Sequence, residues 1–289
     1  MSHAPSILSH HESGGSKGRV LVREWTCEEA GRGSVLILHG LGDHSARHDW
    51  AASRMIRAGY RPIGFDWPGN GGSSGIRGDM PVVADGLALI DSILEEWKIA
   101  PTGIYAHSTG AFLLLPWLAS RASDHPGLRW VWLSSPLLRP SHGQPVLKVA
   151  VAKLLARFFP TMTLSNGVQA RDCYHTRADP AAEAKFSRDG GHHRVSLRFA
   201  LSLLAEEPGL LDLAPHLRPD LAFLLTQGME DRICPPGYAE ALFQKLPSGR
   251  KTWVAVGGAR HEPFREPEPE SFANAVDSWL LCQAMNGSD

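Results

Sequence analysis

The segment Gly103-Ile104-Tyr105-Ala106-His107-Ser108-Thr109-Gly110-Ala111 decides how this chain of 289 residues is to be interpreted. A short apolar run ends at a serine, and a strongly apolar stretch with the length of a helix follows it. Small residues stand two positions before and two after Ser108, so a strand and a helix can approach each other around a tight turn. Such a turn projects the serine hydroxyl beyond the strand end, which makes Ser108 a candidate nucleophile. A lone G-x-S-x-G motif is a weak signal, and here Ala106 replaces its first glycine.

Short apolar runs alternate with longer amphipathic segments on both sides of this turn. Their lengths and periodicity predict strands at 20–25, 35–38, 61–66, 103–106, 130–134, 221–226 and 251–256. Helices are predicted at 49–58, 82–97, 109–119 and 268–282. Strands that alternate with helices indicate an α/β fold whose mostly parallel central sheet is flanked by helices.

The alternation breaks between residues 136 and 211, where the pattern is helical and no buried-strand run is present. We therefore predict a helical cap inserted between sheet strands, above the carboxyl ends of the strands, where open α/β sheets bind their ligands. The predicted organisation is a polar N-terminal segment (1–18), a first part of the core (19–135), the cap (136–211) and a second part of the core (212–289).

A serine nucleophile of this kind needs an acid and then a histidine further along the chain. Glu230 and Asp231 follow the predicted strand 221–226 and a glycine turn, although an aspartate there could also bond its own backbone. His261 follows strand 251–256. The chain has fourteen histidines, so position rather than presence selects this one as the candidate base.

These positions predict a mechanism in which His261 accepts the proton of Ser108 during attack and returns it to the leaving group. Two backbone N–H groups should stabilise the oxyanion of the tetrahedral intermediate. We expect one on Thr109, directly after the nucleophile, and the other on Leu41, in the loop after strand 35–38.

Composition and charge restrict the partners. The formal net charge is −1 and the sequence pI is about 6.9, so no global positive field would attract a nucleic acid.

The first eighteen residues lack an apolar leader, and the apolar stretches are too short to span a bilayer. Four widely spaced cysteines are typical of reduced thiols. We expect a cytoplasmic protein with a small-molecule acyl ester substrate. The oligomeric state is not determined by the sequence.

Other classes were weighed against this one. The segment Gly40-Leu41-Gly42 after a strand imitates a dinucleotide-binding loop, but the third glycine position is Ser45, so a nicotinamide oxidoreductase is disfavoured. His44 and His48 have the spacing of metal ligands on one helix face, without a third ligand or an HExxH motif. We therefore expect neither cofactor nor metal. A catalytically silent binding protein remains an alternative.

Residues 145–159 predict a helix with a broad apolar face and three basic residues elsewhere. Such a face fits transient contact between the cap and a lipid interface, but it fits equally a helix packed on the sheet. The pattern leaves both interpretations open.

Several segments together resemble the monoacylglycerol lipase and lysophospholipase group of α/β-hydrolases. The matching segments are His39-Gly40-Leu41-Gly42-Asp43-His44-Ser45, Phe65-Asp66-Trp67-Pro68-Gly69-Asn70-Gly71-Gly72-Ser73, Ile76-Arg77-Gly78, Leu133-Ser134-Ser135-Pro136, His192-His193-Arg194-Val195-Ser196, Gln227-Gly228-Met229-Glu230-Asp231-Arg232-Ile233 and Gly258-Ala259-Arg260-His261-Glu262. They occur in the family order from about Val20 to the C-terminus.

The resemblance favours Asp231 over Glu230 as the acid, because Asp231 stands before Arg232-Ile233 as in the family pattern. It implies an α/β-hydrolase fold, a lidded acyl pocket, glycerol or lysolipid monoesters as substrates and no cofactor. A general carboxylesterase or lysophospholipase is the alternative. The chain departs from the family at Asp43, Asn70 and Ala106, which leaves its substrate selectivity open.

Overall fold

A largely parallel sheet runs through the centre of the protein. The computed structural model describes residues 6–12, 18–25, 31–175, 184, 188–247, 249–266 and 270–285. Within these residues the strands are β1 (Ser6–Glu12), β2 (Arg19–Glu24), β3 (Ser34–Leu38), β4 (Arg61–Phe65), β5 (Pro101–His107), β6 (Trp130–Ser134), β7 (Thr163–Ser165), β8 (Arg194–Ser196), β9 (Ala222–Gly228) and β10 (Lys251–Val256).

The main sheet has the order β1-β2-β4-β3-β5-β6-β9-β10 within the described residues. The pairs β1–β2 and β2–β4 are antiparallel, and the pairs from β4 to β10 are parallel. The carboxyl ends of β3, β5, β9 and β10 therefore meet at one edge of the sheet. The prediction of an α/β fold with a mostly parallel central sheet is confirmed.

Helices cover both faces of this sheet. The described helices are α1 (Asp49–Arg57), α2 (Val83–Glu96), α3 (Thr109–Arg121), α4 (Val146–Ala156), α5 (Ala170–Cys173), α6 (Leu197–Leu210), α7 (Pro236–Lys245) and α8 (Glu270–Met285). One apolar cluster joins α2, α3, α6 and α7 to one face of the sheet. A second cluster joins α1 and α8 to the other face. Apolar side chains from both layers keep water away from the parallel strands, as such strands require.

The segment between β6 and β9 differs in part from the prediction. It contains α4, α5 and α6, but β7 and β8 also pair there as a short antiparallel ribbon, so a purely helical segment was wrong. Three residues a strand give too weak an alternation to be recognised in the sequence. Helix α6 contributes Phe199, Leu203 and Leu210 to the core, whereas no residue of α4 is buried.

Two more elements were not predicted. Strand β1 lies in the polar segment 1–18, and α7 follows β9. The predicted start of the last helix, residue 268, lies outside the described residues, and α8 extends to Met285. In the part of the chain that is described, no helix combines the length and the apolar character needed to cross a bilayer.

Candidate active site

Ser108 lies at the turn between β5 and α3, as the sequence predicts. Its backbone has φ of 52° and ψ of −118°, a conformation that non-glycine residues rarely adopt. Its N–H donates to the Ser134 carbonyl of the neighbouring strand at 3.0 Å. Strain of this kind persists only where the surrounding structure enforces it, and it is typical of a nucleophile turn.

Two glycines allow the backbone to pack closely around this serine. A Cβ at Gly110 would lie 2.5 Å from the Leu38 carbonyl oxygen and 2.7 Å from that of His39. A Cβ at Gly40 would lie 3.0 Å from the Ser108 Cβ. The second glycine of the motif is therefore needed sterically, and the loop after β3 lies directly against the serine.

The loop after β10 brings His261 to Ser108. The Ser108 hydroxyl lies 2.9 Å from His261 Nε2, and His261 Nδ1 lies 2.8 Å from Asp231 Oδ2. All three residues are buried. The three candidates predicted from the sequence are thus connected by two hydrogen bonds, in the geometry of a nucleophile, a base and an acid. Ser108 is 153 residues from His261 along the sequence, and Asp231 is 30 residues from it.

Asp231 is oriented by its own turn after β9. Its Oδ1 accepts the backbone N–H groups of Ile233 and Cys234, both at 2.8 Å. Its Oδ2 accepts Gln227 Nε2 at 3.0 Å as well as the His261 N–H. Both oxygens are therefore occupied, and the carboxylate cannot rotate away from the imidazole. The Asp turn that the sequence offered as an alternative is present together with the contact to His261.

The charge of Asp231 acts on the base. Burial, the largest single influence, disfavours the protonated form of His261, but the charge and hydrogen bond of Asp231, together with Cys234, outweigh it and raise the pKa of His261 well above 6.5. His107, whose ring centroid is 4.8 Å from that of His261, has the opposite shift. Burial, followed by the charges of His261 and His48, lowers the pKa of His107 well below 6.5, so His107 stays neutral beside the base.

The two backbone N–H groups expected to stabilise the oxyanion lie on different elements, one in the loop between β3 and α1 and one at the start of α3. Leu41 lies in this loop, and Thr109 is the first residue of α3, where a helix leaves its N–H groups without intrahelical acceptors. The Gly42 N–H donates to Asn70 Oδ1 at 3.0 Å, which fixes the loop from the side of the β4–α2 connection. Asn70 also accepts His192 Nε2–H at 2.9 Å from the segment before β8.

His39 braces the start of the same loop. Its Nδ1–H donates to the Gly40 carbonyl at 2.7 Å, and its Nε2 accepts the Trp67 backbone N–H at 2.9 Å. Burial lowers the pKa of His39 to about 4, against the opposing charges of Asp43 and Asp66. The ring is therefore neutral, and the tautomer needed for both hydrogen bonds is available at neutral pH.

His44 and His48, whose spacing is that of metal ligands on one helix face, each lie beside a carboxylate. His48 Nε2 bonds Asp43 Oδ2 at 2.8 Å, and His44 Nε2 lies 3.7 Å from Asp189. Within the described residues, donor atoms of Asp231, Cys234 and His261 lie within 4.8 Å of one another. The acid and the base of this group are already bonded to each other, which is the arrangement of an acid–base pair.

Three residues near the site were missed by the sequence analysis. The Cys234 thiol lies within 4.8 Å of side-chain atoms of Asp231 and His261, and burial raises its pKa. Its position three residues after the candidate acid was the available signal. Arg47 and Glu262 form a buried ion pair beside the base. The sequence held no signal for this pair, because 215 residues separate its members.

An apolar surface lies on the inserted segment. The side chains of α4 and the residues after it are largely exposed, among them Val146 (85%), Leu147 (75%), Leu154 (60%) and Phe158 (72%). A groove of about 390 Å³ runs beside the helix and is lined by apolar side chains together with Lys148. Of the two interpretations of this helix, packing on the sheet is therefore wrong.

A comparison with known families matches residues 29–268 of this chain to the family described as serine aminopeptidase, S33. An uncharacterised abhydrolase domain-containing protein of Dictyostelium discoideum is 30% identical over 276 residues, which are 94% of this chain. The chain spans only 29% of the length of that relative.

Two further similarities extend over whole proteins. A monoacylglycerol lipase of Mycolicibacterium smegmatis is 26% identical over 283 residues, with 96% of this chain and 98% of the relative covered. Among solved structures, that of the Paleococcus ferrophilus monoacylglycerol lipase superposes with a TM-score of 0.79 and 32% identity, covering 91% of this chain and 99% of that one.

Proposed function

We propose that this protein cleaves monoacylglycerols or related lipid monoesters. The chain belongs to the serine aminopeptidase, S33 family, has the α/β-hydrolase fold and is an ester hydrolase. The resemblance inferred from its motifs is confirmed. The observation that carries the proposal is the chain of contacts Ser108 Oγ–His261 Nε2 (2.9 Å) and His261 Nδ1–Asp231 Oδ2 (2.8 Å).

The proposed reaction proceeds through an acyl-enzyme. Ser108 Oγ attacks the ester carbonyl while His261 Nε2 takes its proton, and the imidazolium then returns that proton to the leaving alcohol. Water attacks the acyl-enzyme in the same way, releases the fatty acid and regenerates Ser108. Asp231 holds the imidazole in the tautomer that accepts at Nε2 and stabilises the imidazolium while it exists.

The oxyanion of each tetrahedral intermediate is assigned to the backbone N–H groups of Leu41 and Thr109. Two contacts support this assignment: the close approach of Gly40 to Ser108 and the hydrogen bond from Gly42 to Asn70. A loop that is fixed before substrate binds needs no reorganisation during the reaction, which is the source of catalysis by such donors.

The substrate class rests on the relatives and on the inserted segment. Two similar proteins are monoacylglycerol lipases by name. We assign residues 136–211 as a cap over the strand ends, and the exposed apolar side chains of α4 as its contact with lipid interfaces. Lys148, Lys153 and Arg157 flank this surface and would favour anionic lipid. Such a cap suits a single acyl chain delivered from a membrane or micelle.

Hydrolysis of chromogenic esters of increasing acyl length, with monoacylglycerol as competitor, tests the function. We expect Ser108→Ala to lose roughly four or more orders of magnitude in kcat, since removal of a triad nucleophile has that effect in serine hydrolases. Competition by monoacylglycerol and a preference for longer chains would support the lipase assignment. Turnover retained by Ser108→Ala would refute the mechanism, and short-chain turnover without competition would indicate a general carboxylesterase.

A further inference from the structure

Arg47 occupies an unusual position for a charged residue. It lies in the 3-10 turn Ser45–His48, between α1 and the loop 39–44 that follows β3, and its side chain is 1% exposed. We call the loop 39–44 the oxyanion loop, because it contains Leu41. A charge removed from water is costly unless it is paired. Burial opposes the charge of Arg47, but three carboxylates outweigh that effect and raise its pKa.

These carboxylates surround the guanidinium on three sides. Arg47 Nε lies 2.7 Å from Asp43 Oδ1. Its Nη2 donates to both oxygens of Glu262, at 2.9 and 2.8 Å, and its Nη1 donates to Asp189 Oδ2 at 3.2 Å. Two of the guanidinium nitrogens thus donate hydrogen bonds, one to Glu262 and one to Asp189, and the third forms an ion pair with Asp43.

Each carboxylate belongs to a different part of the proposed machinery. Asp43 is two residues after Leu41, in the oxyanion loop. Glu262 is the residue directly after His261. Asp189 belongs to the inserted segment, 142 residues from Arg47. One buried side chain therefore connects the oxyanion loop, the loop after β10 that carries His261, and the inserted segment assigned as the cap.

The acids are also held on their other sides. Asp43 Oδ2 accepts His48 Nε2–H at 2.8 Å, and His48 Nδ1 lies 3.2 Å from the Tyr105 hydroxyl of β5. The backbone N–H of Glu262 donates to the Cys173 carbonyl at 2.7 Å. Asp43 and Glu262 are therefore fixed within their own loops, and Arg47 is the side chain that links these two loops to each other.

We propose that Arg47 is a positioning residue that sets the oxyanion loop relative to His261 through its contacts with Asp43 and Glu262. The role rests on the proposed function, and Arg47 itself touches none of the reacting atoms. Charge alone is insufficient for this role, because a lysine ammonium would neutralise the carboxylates without reproducing the fixed directions of the fork.

Arg47→Lys separates geometry from charge. We expect kcat per active site to fall roughly 10- to 100-fold, because displacements of about 1 Å cost up to about a hundredfold in rate. KM for a short soluble ester should change less than about threefold, as the substrate does not touch Arg47. Active sites are counted by fluorophosphonate labelling, so a loss of folded protein lowers the number of sites and not kcat per site.

Arg54→Lys is the matched control. Arg54 is a largely buried arginine of α1 whose Nη1 lies 2.6 Å from Asp277 of α8. We expect its kcat per site to stay at the wild-type value. If Arg47→Lys yields no folded protein, Glu262→Gln provides the measurement, since it keeps the side-chain size and removes the charge-assisted fork.

Wild-type kcat per site in Arg47→Lys, or in Glu262→Gln if that variant is used, would overturn the proposal. An equal loss in Arg54→Lys would do the same, because it would indicate a general effect on the fold. Ser108→Ala is measured in parallel: turnover by that variant would refute the proposed function, whatever the result for Arg47.

Discussion

His261 lies between a carboxylate and a hydroxyl, and this environment sets the pH at which it can act as a base. Burial disfavours the protonated imidazole, but Asp231 and Cys234 together outweigh burial, so the pKa of His261 is raised. Only the neutral ring can accept the Ser108 proton. A raised pKa therefore moves the active form to higher pH, and the same charge that stabilises the imidazolium intermediate reduces the fraction of free base at neutral pH.

We expect kcat/KM for a soluble ester to increase with pH through an apparent pKa above 6.5, because the pKa of His261 is raised and only its neutral ring is a base. Asp231→Asn should reduce the rate and shift the midpoint to lower pH, because it removes the charge that raises the pKa. A pH–rate profile of both proteins measures this. A rate independent of pH between about 5 and 9 would argue against His261 as the base.

At the scale of the elements, α4 differs from the other long helices. It has no buried residue, whereas α3 and α6 bury apolar side chains in the core. Its apolar face by sequence alone fitted a core helix and a lipid-contacting helix equally well. An exposed apolar surface flanked by basic residues is typical of an element that contacts a partner or a lipid surface.

Replacing Leu147 and Phe158 by Asn should weaken binding to anionic phospholipid vesicles. Both side chains are more than two thirds exposed, so the fold does not depend on their burial. We expect about a tenfold or greater loss in partitioning, since each apolar side chain that leaves water contributes about 1.5–3 kcal/mol. Leu281→Asn, at an exposed position of α8, is the control and should bind as the wild type does. Vesicle sedimentation in which all proteins bind equally would exclude α4 as the contact surface.

At the scale of the whole molecule, the site depends on two helical layers that keep the sheet rigid. Loops after β3, β5, β9 and β10 supply the candidate site residues, and their relative positions follow from the parallel pairing of the strands. Helix α8 closes one face: Trp279 packs edge-on against Trp130 of β6, with ring centroids 5.5 Å apart, and Leu280 is fully buried.

Leu280→Ala and Leu281→Ala form a matched pair on this helix. Leu280 is 0% exposed and Leu281 is 49% exposed, so the same truncation removes core packing in one case and surface contact in the other. We expect the free energy of unfolding to fall by about 2–5 kcal/mol for Leu280→Ala. For Leu281→Ala it should change by less than about 0.5 kcal/mol. Urea denaturation measures both, and equal losses would contradict the position of α8.

Much of the architecture follows from local patterns in the sequence. The runs 130–134 and 251–256 were predicted with the bounds that β6 and β10 have, because both are short runs rich in β-branched and aromatic residues. Strand β6 is buried along its whole length, whereas β10 is the last strand of the described sheet and buries only Val256. Short or polar elements were missed: β7 and β8 have three residues each, and five of the seven residues of β1 are polar, so none of them shows the pattern that predicts a strand.

By itself, the sequence determined the sheet, the turn at Ser108 and the order in which Asp231 and His261 follow it, because periodicity and turn sterics act over a few neighbouring residues. The tertiary structure decided which side chains meet across long stretches of chain. It joined Arg47 to Glu262 and Asp189, and it left α4 exposed. These outcomes depend on where parallel strands bring their loops together and on which apolar faces the core has room to bury, and no local pattern contains that information.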